Sequence, residues 1–303
     1  MSLVINHNMM AANTARNLNA HYSNLSRSVQ RLSTGLRVNS AADDAAGLAI
    51  RELQRADIAA LQQGARNAND AISMIQTADG ALGVIDEKLI RMKELAEQAA
   101  TGTYDSTQRL MIESEYQAMA SEITRIANAT DFNGIHLLNG NLSSSTHDGS
   151  GKSATDGLTP TGKMKIHFGT GNDSAEDYYY ITIGNSTASA LGVGNQAASS
   201  SAAYTVSTQQ AAQSALVGLT EAIVSKDKIR AHLGAMQNRL ENTITNLTTQ
   251  AENLQAAESR ISDVDVATEM TQFVRNQILT QSAVAMLSQA NSMPQMAMQL
   301  IGG

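Results

Sequence analysis

Leu233, Leu240, Leu247, Leu254 and Ile261 recur at intervals of seven, with Ile244 and Ala251 at the alternate positions. A heptad repeat held over that distance puts one apolar stripe along a long helix and requires a facing stripe to cover it. A second such stripe lies near the start of the chain. Leu18, Tyr22, Leu25, Val29 and Leu32 follow one another at spacings of four, three, four and three. A third runs through Ile58, Leu61, Ala65, Ala68, Ile72 and Ile75, then shifts phase and continues as Ala78, Leu82, Ile85, Leu89, Met92 and Ala96. The shift reads as a stammer, which overwinds a coiled coil locally without ending it.

The fold class expected is therefore mainly α: a long antiparallel coiled coil or helical bundle formed by the N- and C-terminal segments, with a small β-hairpin in the middle. Thr34-Gly35 stops the first helix. A second helix is expected from about Asp44 to about Ala100, and a third from about Ser106 to Thr130, closed by Asp131-Phe132-Asn133-Gly134. Composition changes at 141–205, which is rich in Gly, Ser and Thr. Within it, Lys163–Phe168 and Tyr178–Ile183 flank turn residues and read as the hairpin. Only 3% of the residues are aromatic and only 2 of 303 are proline, which suits helices packed through Ala, Leu, Ile and Met.

Several kinds of chemistry find no support. The chain has no Cys, so it has neither a disulfide framework nor a Cys nucleophile. Its formal charge of −7, without a Lys/Arg cluster, makes it a poor nucleic-acid binder. No apolar run is long enough to span a membrane. The six His lie in no catalytic or zinc motif, and Asp43-Asp44 and Asp263/Asp265 read as helix-start caps. Gly192-Val193-Gly194-Asn195-Gln196-Ala197 fits a dinucleotide fingerprint in letters only, and the expectation there is a loop. No cofactor or metal is expected. Residues 1–15 contain no Lys or Arg, so no secretory leader is expected. Ser143–Thr146 and Ser199–Ser201 are loop candidates for O-linked modification. The segment with Met270, Phe273, Ile278, Leu279, Val284, Met286, Leu287, Met293, Met296 and Met298 reads as amphipathic, and is too apolar for a solvated helix. Met-rich faces suit partners that change.

The chain resembles the bacterial flagellins, in a short form. The likeness rests on Val4–Asn8, Arg31–Gly47, Arg66–Asp70, Asp131–Gly134, Leu233–Glu241, Ala257–Ile261 and Gln289–Gln295, in order across both ends. The resemblance implies a filament-core domain from 1–55 and 261–303. It implies a second domain from 56–193 and 206–260, with the hairpin at about 163–183, a variable loop at about 141–160 and an exposed linker at 194–205. It further implies a non-enzymatic, extracellular filament subunit exported unfolded by the flagellar type III apparatus. The implied partners are other copies of the chain, an export chaperone, and the filament cap and hook-junction proteins. Subunit packing is expected at Leu18, Leu25, Val29, Leu32, Leu233, Leu240, Leu247, Leu254 and Ile261. A chaperone and filament-core stripe is expected at Met270, Phe273, Ile278, Leu279, Met286 and Leu287. By the same resemblance, Arg91, Leu95 and Glu115 would contact the animal flagellin-sensing Toll-like receptor. Rival readings are a hook–filament junction protein, a secreted enzyme carried on the same ends, and an intracellular scaffold.

Overall fold

The computed structural model describes residues 7–143, 162–198 and 200–301. These form six helices and two strand pairs: α1 (Met9–Thr34), α2 (Ala45–Ala100), α3 (Ser106–Ala129), β1 (Asp131–Phe132), β2 (Ile135–His136), β3 (Met164–His167), β4 (Tyr178–Ile181), α4 (Ala188–Leu191), α5 (Gln209–Ser262) and α6 (Val266–Ile301). The chain divides into two compact units. The terminal unit is Met1–Ile58 with Glu252–Gly303, and the central unit is Ala59–Ala251. The variable loop expected at about 141–160 lies almost wholly outside the described residues, as do Ser144–Thr146 and Ser199.

In the central unit, α2 supplies a seam of Leu61, Gly64, Ala68, Ala71, Ile75, Ala78, Leu82, Ile85, Leu89, Met92, Ala96 and Ala99, all buried. The spacing alternates between three and four throughout, so no stammer exists. Ala65 and Ile72, which the sequence reading placed in the seam, are only half-buried, and Gly64 and Ala71 hold those positions. The physical reason is close approach: a Cβ on Gly64 would collide with the backbone carbonyl of Phe168, beside β3.

The α5 seam extends further toward the N-terminus than the leucine heptads reach. Ala212, Ala215, Leu219 and Ala222 continue it, and Lys226 occupies the next position, buried. Its ammonium lies 2.6 Å from an Asp86 carboxylate oxygen and 2.7 Å from one of Asp227. One turn on, Arg230 pairs with Asp79 at 2.7 Å. These pairs run in opposite chain directions on α2 and α5, so the two helices are antiparallel. A charged group in an apolar seam fixes register, because any slip leaves it unpaired.

β1 and β2 form a two-residue hairpin that the sequence reading took only as a helix stop. Asn133 and Gly134 both have positive φ, 52° and 79°, as the tightest hairpin turn requires. The expected larger hairpin is present, with β3 antiparallel to β4 in the register Met164↔Ile181 to His167↔Tyr178. Phe168 and Tyr179 pack at 4.6 Å, and the Arg239 guanidinium lies 3.5 Å over the Tyr179 ring.

The expected exposed linker at 194–205 is corrected by the structure. Ala197 and Ala203 are buried, and the segment docks on α3. The buried Tyr116 hydroxyl donates to the Ala203 carbonyl at 2.7 Å, and the Gln117 amide donates to the Tyr204 carbonyl at 2.9 Å. The Asn195 amide donates back to Gln117 at 2.7 Å. Gly192 and Gly194 take left-handed φ of 74° and 68°, and a Cβ on Gly194 would strike Ala120. These glycines serve a turn and a close contact. Small residues made the stretch look like a linker, and the same smallness lets its backbone lie against the helix.

The terminal unit is organised by its connector. Gly35 closes α1 in the left-handed conformation, with its amide donating to the Arg31 carbonyl. Leu36 then forms a bridge with Asp263, flanked by Arg37 N to Ser262 O at 2.6 Å and Val264 N to Gly35 O at 3.0 Å. Asp43 accepts from the Asn39 and Ser40 amides, and Asp44 accepts from Gly47 at the start of α2. Asp265 caps α6 by accepting from the Ala267 and Thr268 amides.

Candidate interaction surfaces

α1 and α6 pack against each other in the terminal unit. The Asn8 amide donates to the Ala290 carbonyl at 2.8 Å near one end, and Arg31 lies 3.6 Å from Glu269 at the other, so the pair is antiparallel. On α1 the covered face is Leu18, His21, Leu25, Ser28 and Leu32. His21 and Ser28 stand where the sequence reading placed Tyr22 and Val29. Tyr22 and Val29 are instead 52% and 49% exposed.

On α6 the covered face is Glu269, Phe273, Asn276, Thr280, Ala283, Leu287 and Ala290, again at spacings of four and three. The expected α6 stripe therefore separates into two sets. Phe273 and Leu287 lie in the seam with α1. Met270, Ile278, Leu279 and Met286 lie outside it and are exposed, Ile278 by 57%. Val266, Val274 and Val284 join them. The helix is not amphipathic as expected, since apolar residues occupy every side of it. A helix of that kind needs cover all round. The seam thus mixes large apolar side chains (Leu18, Leu25, Leu32, Phe273 and Leu287) with small and polar ones, and further large apolar side chains face out.

The remaining predicted packing residues divide between the units. Leu233, Leu240 and Leu247 are buried in the central unit, and Leu254 and Ile261 are half-buried in the terminal one.

On the central unit, Arg91 of α2 and Glu115 of α3 come together, though 24 residues apart. Arg91 Nε and Nη2 donate to Glu115 Oε1 at 3.0 and 2.9 Å, and Nη1 donates to Glu94 at 3.0 Å. The Glu115 and Glu94 carboxylates hold the Arg91 guanidinium above its ordinary range. Leu95 is not part of this surface. It is 1% exposed and belongs to the core. A spacing of four puts two residues on one side of a helix. The two still differ by about 40° of rotation, and Leu95 falls on the covered edge while Arg91 falls on the open one. No group of His, Asp and Glu among the described residues is placed to hold a metal ion. No helix among the described residues is long and apolar enough to cross a membrane.

The bacterial flagellin N-terminal helical region matches residues 5–143, and the bacterial flagellin C-terminal helical region matches residues 216–301. The chain belongs to the bacterial flagellin family. It is 40% identical to the flagellar filament 33 kDa core protein of Treponema phagedenis, over 99% of this chain and 100% of that one. It is 41% identical to the flagellin of Bacillus subtilis strain 168, over 98% of this chain and 99% of that one. The crystal structure of Bacillus cereus flagellin is 28% identical, covering 64% of this chain and 94% of that chain, with a TM-score of 0.45. This flagellin is a structural subunit of the flagellar filament, not an enzyme, and it associates with copies of itself.

Proposed function

We propose that neighbouring copies cover the outward apolar faces of α1 and α6 in the filament, and that an export chaperone covers the α6 face beforehand. The observation that carries this reading is the exposure of Tyr22, Val29, Met270, Ile278, Leu279 and Met286, which the α1/α6 seam leaves uncovered. Apolar area left in water is unfavourable by roughly 25 cal/mol per Å², so each such residue favours association. The two faces lie on different helices, so contacts between copies are heterologous and propagate as a helical polymer when they do not close. Methionine adapts to more than one partner, which suits a face covered first by a chaperone and then by other subunits. Filament cap and hook-junction proteins would meet the same faces at the filament ends. A terminal pair with so little buried of its own is also easily kept unfolded for passage through the flagellar type III apparatus.

The test is electron microscopy after sulfate-induced assembly, which strengthens apolar burial. Full-length chain is expected to give filaments. The chain lacking 264–303 and the Ile278→Asp/Met286→Asp variant are expected to give none, and the variant is expected to lose chaperone capture. Filaments from the double variant at the wild-type protein concentration would overturn the reading. Antibody labelling along whole filaments, rather than at their base, separates it from a junction protein.

A second reading concerns the animal Toll-like receptor. The exposed Arg91–Glu115 pair joining α2 to α3 supports a receptor contact there, without the buried Leu95. Reporter-cell signalling by purified monomer is expected to fall in Arg91→Ala/Glu115→Ala. Unchanged signalling would leave the pair as a plain link between two helices.

A further inference from the structure

A polar pocket of about 270 Å³ opens on the α1/α6 pair. Arg27, Arg31, Arg275, Glu269, Asn24 and Asn276 line it. Three guanidinium groups thus surround one carboxylate. Arg31 Nη1 stands 3.6 Å from Glu269 Oε2, within ion-pair range but beyond a hydrogen bond. Arg31 Nε is enclosed and has no hydrogen-bond partner, an unfavourable state for a charged donor. Arg27 and Arg275 have no ion-pair partner among the described residues. The local charge balance is also unusual. α1 and α6 carry Arg16, Arg27, Arg31 and Arg275 against Glu269 alone, within a chain of net charge −7.

We propose that this pocket is an anion site. One oxygen anion sits between the Arg27 and Arg275 guanidiniums, with the Asn24 and Asn276 amides beside it and Arg31 adding its charge. Guanidinium groups present paired N–H donors that match carboxylate and tetrahedral oxyanions, so both chemistries fit. The anion has two sources: a free oxyanion such as phosphate or sulfate, or an Asp or Glu side chain of a second copy. The second source rests on the assembly reading above. The site takes one group of charge −1 to −2, which leaves Glu269 paired with Arg31 and satisfies the two remaining cations.

The experiment uses full-length chain in two forms, Arg27→Gln/Arg275→Gln and the charge-matched control Arg16→Gln/Arg260→Gln, with circular dichroism confirming unchanged helix content. Inorganic phosphate is titrated against monomer and assembled filaments at constant ionic strength, with phosphorus NMR line width as the readout. The critical concentration for assembly is measured in parallel. Saturable broadening that disappears in the pocket variant but not in the control assigns the site to a free oxyanion. No saturable broadening, with a critical concentration raised ten-fold or more in the pocket variant alone, assigns it to a carboxylate of the neighbouring copy. If both variants match wild type in both readouts, the pocket holds only water and the proposal is overturned. Failure of assembly in Ile278→Asp/Met286→Asp bears on the apolar faces and leaves the monomer phosphate arm standing, so the two readings fail separately.

Discussion

The two units solve the same packing problem to different degrees. In the central unit, Leu82, Ile85, Leu89, Met92, Tyr116 and Ile123 all point inward and are sealed from water. In the terminal unit, the α1/α6 seam interleaves Leu18, Leu25, Leu32, Phe273 and Leu287 with His21, Ser28, Asn276 and Thr280, while Tyr22, Val29, Met270 and Ile278 face out. Both units have long helices with heptad spacing. The difference lies in which side chains the spacing hides. The central unit seals many large side chains completely within one chain and so carries its own stability, even with Leu110, Met111 and Val217 exposed. The terminal pair keeps much of its apolar area available, and its stability comes with a neighbour. A polymer subunit needs both: one body that stays folded, and one that is completed by assembly.

The largest effect expected on this contrast comes from shortening one side chain in each unit. Leu89→Ala, at a fully buried site, is expected to destabilise the central unit by about 3 kcal/mol in urea unfolding followed by circular dichroism. Ile278→Ala, at an exposed site, is expected to change monomer unfolding by no more than about 0.5 kcal/mol while raising the critical concentration for assembly. Equal losses in the monomer would break the comparison, because Ile278 would then be part of a closed core.

A smaller effect sharpens the picture within α2. Gly64→Val is expected to cost roughly 1–3 kcal/mol, because the added atoms meet the Phe168 backbone. Gly83→Ala meets nothing within 4 Å and is expected to stabilise by about 0.5–1 kcal/mol through helix propensity. Thermal unfolding of both variants reads the two signs directly. Stabilisation by both would mean that the hairpin does not rest on Gly64.

The smallest effect expected is on pH. The Thr268 hydroxyl, then the Thr268 and Ala267 amides, hold the Asp265 carboxyl below its ordinary 3.8. A carboxyl depressed in the folded state stabilises that state fully above its unfolded value and loses the contribution as pH falls through the folded one. Below about pH 4, the start of α6 is therefore expected to loosen first. Asp265→Asn keeps an acceptor and removes the titration. Its helix content from pH 5 to pH 2 is expected to fall less steeply than that of wild type, and an identical acid profile would exclude Asp265 as the cause.

The heptads at Leu233, Leu240 and Leu247, the stop at Gly35 and the hairpin at Met164–Ile181 were legible because each depends on local spacing or on one residue's conformational freedom. The Asn133-Gly134 hairpin was legible too, since both residues tolerate positive φ, but a helix stop accounts for the same letters. Lys226 was hidden. Its seam role depends on Asp86, 140 positions away, and nothing adjacent in sequence marks a buried lysine. The link between Arg91 and Glu115 could be named from the resemblance, but the burial of Leu95 could not, because a helix position has no fixed exposure until a neighbour is placed against it.

What the sequence by itself determined is that long helices carry apolar stripes, that a small hairpin interrupts them, and that no catalytic chemistry is encoded in its motifs. Periodicity is a property of one segment, so one segment suffices to reveal it. What only the tertiary structure decided is the direction of each stripe: that Gly64 rather than Ala65 meets the hairpin, that 194–205 docks on α3, and that Val29 and Ile278 face out while Ser28 and Thr280 face in. Two neighbouring positions on a helix differ by about 100° of rotation, and the hydrophobic gain from turning either one inward is similar. Only the shape of the facing surface separates them, and that surface is built from residues far away in the chain.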